Sequence, residues 1–142
     1  MLTRQTLRGV IPAIVTPFTE GDQVDAAGLA RITDFVIQGG VHAIMTTGGT
    51  GEFPHLSRDE RRLVTRTVVE AAAGRVPVIA GTAACSTRET LQLTEDAAKA
   101  GAQAAIIVSP YYFGLPERAL YRHFATVAAA GLLPVVLYNN PL

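Results

Sequence analysis

The chain has one cysteine and one lysine in 142 residues. A single thiol, Cys85, closes no internal disulfide, so a reducing, cytoplasmic location is expected. No basic pair or histidine partner marks Cys85 as a nucleophile, and it reads as a small loop residue. Net charge is also missing: twelve Lys and Arg balance twelve Asp and Glu. Without a basic excess, neither a nucleic-acid nor a membrane-surface partner is expected. No apolar run reaches about eighteen residues, so no membrane-spanning helix is expected. The apolar stretch 10–18 contains Pro12 and Pro17 and lacks a small-residue cleavage site, and it reads as a strand rather than a signal peptide. His42, His55 and His123 show no metal-ligand spacing. They are assigned structural or surface roles, and no metal or other cofactor is expected. A phosphate fingerprint after the first apolar run is absent too, since that loop carries proline where glycines would be needed.

What is present is enough apolar material for a core: 49% of residues are hydrophobic and only 17% charged, which excludes a disordered chain. Short β-branched runs alternate with amphipathic stretches. The runs lie at 10–18, 43–47, 76–81, 104–108 and 134–138. They are apolar on consecutive positions, as in parallel strands covered on both faces. A helix follows each of the first four. One runs from Ala26 to Gln38 behind Asp25, with Leu29, Ile32, Phe35 and Val36 assigned to its apolar face. Ser57-Arg58-Asp59-Glu60 and Ser86-Thr87-Arg88-Glu89 read as capping boxes opening the next two. Pro116-Glu117 opens the last.

Strict β-α alternation at a period of about thirty residues implies an α/β fold with right-handed crossovers. Two closed solutions compete, a doubly wound sheet of order 2-1-3-4-5 and a barrel of order 1-2-3-4-5. Polar, glycine-rich and aromatic residues gather after several strands: Thr46 to Glu52, Gly81-Thr82, Ser109 to Phe113, and Tyr138-Asn139-Asn140. A barrel builds its active face this way. A full barrel takes roughly 250 residues. The expectation is therefore that residues 1–142 are the N-terminal portion of a single (β/α)8 barrel domain, about four and a half βα units, with C-terminal strands and helices missing. Such an open arc exposes strand edges and is expected to aggregate, dimerise or pair with a complementary piece.

Gly48-Gly49-Thr50-Gly51-Glu52 allows backbone amides to approach a small carboxylate, with a threonine hydroxyl as a further donor. A plain βα turn with glycine at positive φ accounts for the same letters. Tyr138, at the end of the last strand, is placed to relay a proton or simply to cap the core. Ser109-Pro110-Tyr111-Tyr112 is a second aromatic cluster for the same face, or an oligomer contact.

These segments together resemble the dihydrodipicolinate synthase and N-acetylneuraminate lyase family. The matching pieces are residues 9–18, Gly48-Gly49-Thr50-Gly51-Glu52, Pro77-Val78-Ile79-Ala80-Gly81-Thr82, Ser109-Pro110-Tyr111-Tyr112 and Leu137-Tyr138-Asn139-Asn140-Pro141, in family order. The resemblance implies a (β/α)8 barrel joining or cleaving pyruvate-like 2-oxo acids through a lysine Schiff base, without a cofactor and as a homo-oligomer. It implies that Gly49 and Thr50 hold the substrate carboxylate. It also implies that Tyr138 is the acid/base, and that Tyr112 joins a proton relay, often across a dimer interface. Gly49 stands where the synthase branch carries the first of two threonines, and the GGTGEF wording resembles sugar-acid members. By the same resemblance the imine lysine belongs on the sixth strand, past Leu142. Lys99 sits near a helix C-terminus and does not replace it, so the chain alone is expected to be inactive. A non-catalytic, partner-dependent half-barrel is the alternative.

Overall fold

A computed structural model describes residues 2, 3 and 5–140. Pro141 of the last matching segment, and Leu142, lie outside the described residues. Helix α1 spans Ala26–Gln38, where the Asp25 carboxylate accepts from the Gly28 N–H at 2.8 Å. Strand β1 is Ile44–Thr46, followed by a 3₁₀ turn at Phe53–His55 and helix α2 at Arg58–Ala72. The capping box at α2 is complete: Ser57 Oγ accepts from the Glu60 N–H while Glu60 accepts from the Ser57 N–H. At α3 (Thr87–Lys99) only half of the expected box forms. Ser86 Oγ accepts from the Glu89 N–H, and the Glu89 carboxylate makes no return bond. Strand β2 is Val78–Gly81, β3 is Ala104–Val108, α4 is Glu117–Ala129 and β4 is Val135–Tyr138.

The strands form one parallel sheet in the order β1-β2-β3-β4. The apolar run at 10–18 lies outside β1, where Ala13 makes an isolated parallel bridge to Met45. Ile14 N–H donates to Met45 O and Met45 N–H to Pro12 O. It does not lengthen into a strand, because Pro12 and Pro17 contribute no N–H to a ladder. Its position still settles the topology: the five runs lie side by side in chain order, an arc of a (β/α)8 barrel. In a 2-1-3-4-5 sheet the first run would separate β1 from β2, which are hydrogen-bonded neighbours.

Alternation along the strands divides the sheet into two faces. Ile44 and Val78 pack with Leu29, Val64 and Val68 of α1 and α2, and Ala105 and Ile107 pack with Val127 of α4. The other face carries Met45, Gly81, Ile106, Val108 and Tyr138, which look into the concave side of the arc. One helix-face assignment is corrected: Phe35 is 77% exposed. Thr33 takes the buried position instead, its hydroxyl satisfied by the Leu29 carbonyl at 2.8 Å.

Candidate functional site

The carboxyl ends of the strands surround an open cavity of about 540 Å³. Parallel strands end at the same level, so the loops after them meet around one space. The loop after β1 contributes Gly48, Gly49, Thr50 and Phe53; the end of β2 contributes Gly81 and Ala83; β3 and its loop contribute Val108 and Tyr111; β4 contributes Tyr138 and Asn140.

The glycines of the first loop are not there for positive φ. The left-handed residues are Thr47 (φ 51°) and Glu52 (φ 57°), on either side of them. At Gly51 the requirement is space. A Cβ on Gly51 would lie 3.1 Å from the Ile14 carbonyl oxygen, and the Thr16 hydroxyl donates to the Gly51 carbonyl at 2.8 Å. Gly49 meets nothing within 4 Å and opens onto the cavity. Among the described residues, the N–H groups of Gly49 and Thr50 donate to no protein acceptor. Two free amides and a hydroxyl on one rim make a donor set suited to an anion.

Gly81 fixes the loop against the sheet. Its carbonyl accepts from Thr47 Oγ1 at 3.0 Å and from Arg61 Nη2 at 2.8 Å. Arg61 Nη1 donates to the Ala83 carbonyl at 3.0 Å. The guanidinium also lies over the Phe53 ring, 5.2 Å from its centroid, and Phe53 meets Tyr111 edge-on at 5.6 Å. Burial pulls Arg61 down to about 10, still cationic at neutral pH. Burial raises the Tyr111 phenol, the neighbouring Cys85 thiol raises it further, and the Arg61 charge works in the opposite direction.

Of the four residues singled out from the sequence, Gly49, Thr50 and Tyr138 line the same cavity. Tyr112 does not. It is 78% exposed and stacks edge-on against Phe113, while its neighbour Tyr111 turns inward. Phe53, Tyr111 and Arg61 were not singled out. Arg61 left a signal: positions 61, 64, 65, 68 and 72 form the buried stripe of α2, so an arginine stood where the helical period calls for a core residue. Lys99 lies in the last turn of α3, ahead of β3, at the opposite end of the sheet. Its ammonium donates to Glu95 at 2.7 Å. Among the described residues there is no cluster of metal-ligating side chains, and no helix is long and apolar enough to cross a membrane.

Known proteins resemble this chain in sequence and fold. The chain is 48% identical over 136 residues to a 4-hydroxy-tetrahydrodipicolinate synthase of Thiobacillus denitrificans, covering 96% of the chain and 46% of that protein. It is 44% identical to the corresponding synthase of Salinibacter ruber over 134 residues, 94% of the chain and 44% of the relative. The chain thus spans about half the length of the curated relatives it matches. Among solved structures, a chloride-inhibited dihydrodipicolinate synthase of Acinetobacter baumannii complexed with pyruvate superposes with a TM-score of 0.92 at 41% identity. That match covers 95% of this chain and 46% of the other. An N-acetylneuraminate lyase of Mycoplasma synoviae gives 0.89 at 30% identity, over 99% and 49%. The profile of the dihydrodipicolinate synthetase family matches residues 6–142, almost the whole chain, and the chain belongs to that family.

Proposed function

We propose that this chain carries the carboxylate-binding and proton-handling part of a lyase site for a pyruvate-like 2-oxo acid. The observation that carries the reading is the meeting of Gly49, Thr50 and Tyr138 on one cavity. The free amides of Gly49 and Thr50 and the Thr50 hydroxyl bind the carboxylate, which leaves the 2-oxo carbon facing the middle of the arc. In lyases of this kind a lysine amine attacks that carbon and water leaves, giving a protonated imine. The imine takes up the electron pair of the adjacent bond as it breaks and becomes an enamine; in the forming direction that enamine, made by loss of a proton from the imine, supplies the pair. The Tyr138 phenol carries the protons these steps release and consume. Lys99 is not the amine, because it sits at the wrong end of the strands. Tyr112, pointing outward, serves the site of a second copy in a homo-oligomer. No cofactor enters this chemistry. Gly49 supplies no hydroxyl where a relay through a first threonine would need one, which favours a sugar-acid-derived 2-oxo acid over the synthase substrate.

Calorimetric titration with pyruvate tests the reading. Thr50→Val is expected to weaken binding severalfold, and Tyr138→Phe to leave affinity nearly unchanged, since the phenol moves protons rather than holding the ligand. Borohydride added to the pyruvate mixture is expected to give no adduct. A reduced pyruvyl group on Lys99 would sink the account, as would pyruvate binding indifferent to Thr50.

A further inference from the structure

Arg61 has an arrangement that packing alone does not require. It is 8% exposed and takes part in no ion pair among the described residues. Burying an unpaired cation is costly unless its donors are satisfied. Two of its nitrogens are satisfied by the Gly81 and Ala83 carbonyls, and Nε has no partner. Its flat face meets the Phe53 ring. Gly81, Ala83 and Phe53 all line the cavity, and they come from the ends of two different strands. Phe53 in turn supports Tyr111 of a third loop. One side chain therefore holds three loops from behind.

We propose that Arg61 is a positioning residue of the cavity, one that fixes its wall through Gly81, Ala83 and Phe53 and sets a positive charge behind it that favours an anionic ligand. The inference rests on the 2-oxo-acid reading for the ligand and on geometry for the rest. A planar guanidinium satisfies two carbonyls while stacking on a ring; an ammonium keeps the charge but cannot do both. A neutral side chain of similar length keeps the packing and loses the charge. The roles therefore separate by substitution.

The experiment compares wild type, Arg61→Lys and Arg61→Met, with folding checked by thermal melting. Each is titrated with pyruvate and with pyruvamide, its uncharged analogue, and the Tyr111 phenol is titrated by NMR. For Arg61→Lys, both ligands are expected to weaken severalfold while the preference for pyruvate is kept. For Arg61→Met, the preference for pyruvate is expected to fall by about fivefold, as loss of a unit charge across a protein wall implies, and Tyr111 is expected to titrate at higher pH. A merely structural arginine would weaken both ligands alike and leave Tyr111 unmoved. An Arg61→Met chain with the wild-type preference and the wild-type Tyr111 titration overturns the proposal. If that variant does not fold, Arg61→Lys with wild-type affinity overturns it. A wild-type chain with no response to pyruvate sinks the 2-oxo-acid reading instead, and the Tyr111 titration then still decides for or against the charge behind the wall.

Discussion

Replacing Gly81 by alanine puts a methyl group where the structure has no room for one. The new Cβ would lie 2.1 Å from the Thr47 carbonyl oxygen, 2.7 Å from its carbon and 3.3 Å from the Gly48 nitrogen. A carbon and a carbonyl oxygen approach no closer than about 3.3 Å, so one backbone must retreat by about 1 Å. Neither is free to move. Gly81 is held by Thr47 and Arg61 at its carbonyl and by its register with Ile106 in β3. Overpacking of this kind costs about 1–3 kcal/mol and sometimes more, and a clash between two fixed backbones belongs at the upper end, about 3 kcal/mol. With a urea slope of about 2 kcal/mol per molar, the midpoint should fall by roughly 1.5 M. Gly49→Ala is the internal control. Its Cβ meets nothing within 4 Å, and its φ lies outside the left-handed region, so stability should change by less than about 0.5 kcal/mol. Urea unfolding followed by circular dichroism measures both. A Gly81→Ala chain with the wild-type midpoint, or a Gly49→Ala chain as damaged as Gly81→Ala, would refute the reasoning.

Ser57→Ala removes a hydroxyl that caps α2 from one side of the complete box and should cost about 1 kcal/mol in the same unfolding assay. Leu29→Ala should cost about 2–5 kcal/mol, whereas Phe35→Ala, on the solvent side of the same helix, should stay within about 0.5 kcal/mol. His123 is buried, with Nδ1 held by Thr87 Oγ1 at 2.9 Å and Nε2 without a partner, and burial lowers its pKa. The unfolded chain then takes up the proton first, so its contribution is intact above about pH 6.5 and is lost as pH falls below that. Urea midpoints at pH 7 and pH 5 should differ less for His123→Gln than for wild type.

The fold was legible because it is written in repetition. Apolar β-branched runs and helix caps recur in step: the first three helices begin just after Asp25, Ser57 and Ser86, and α4 begins at Glu117 behind Pro116 without a side-chain cap. The misses have local causes. The run at 10–18 has strand-like letters, but two prolines at an outer edge leave too few donors for a ladder. Phe35 was assigned to the apolar face, but the buried stripe of α1 runs through Thr33, whose hydroxyl bonds back to its own helix and is buried at little cost. Arg61 was not singled out, although its position falls on the buried stripe of α2. Tyr111 was not singled out because it lies in an irregular loop, where no period indicates which of two adjacent rings turns inward. Gly49, Thr50 and Tyr138 line one cavity because parallel strands end at the same level whatever the loops do.

The central claim is that the carboxyl ends of these strands form one small-anion pocket, and a ¹H–¹⁵N NMR titration of the chain with pyruvate tests it most directly. Saturable shifts centred on Gly49, Thr50 and Asn140 are predicted. Unmoved signals at those residues, or shifts centred instead on Leu7, Ala104 and Val135 at the other end of the arc, would contradict it.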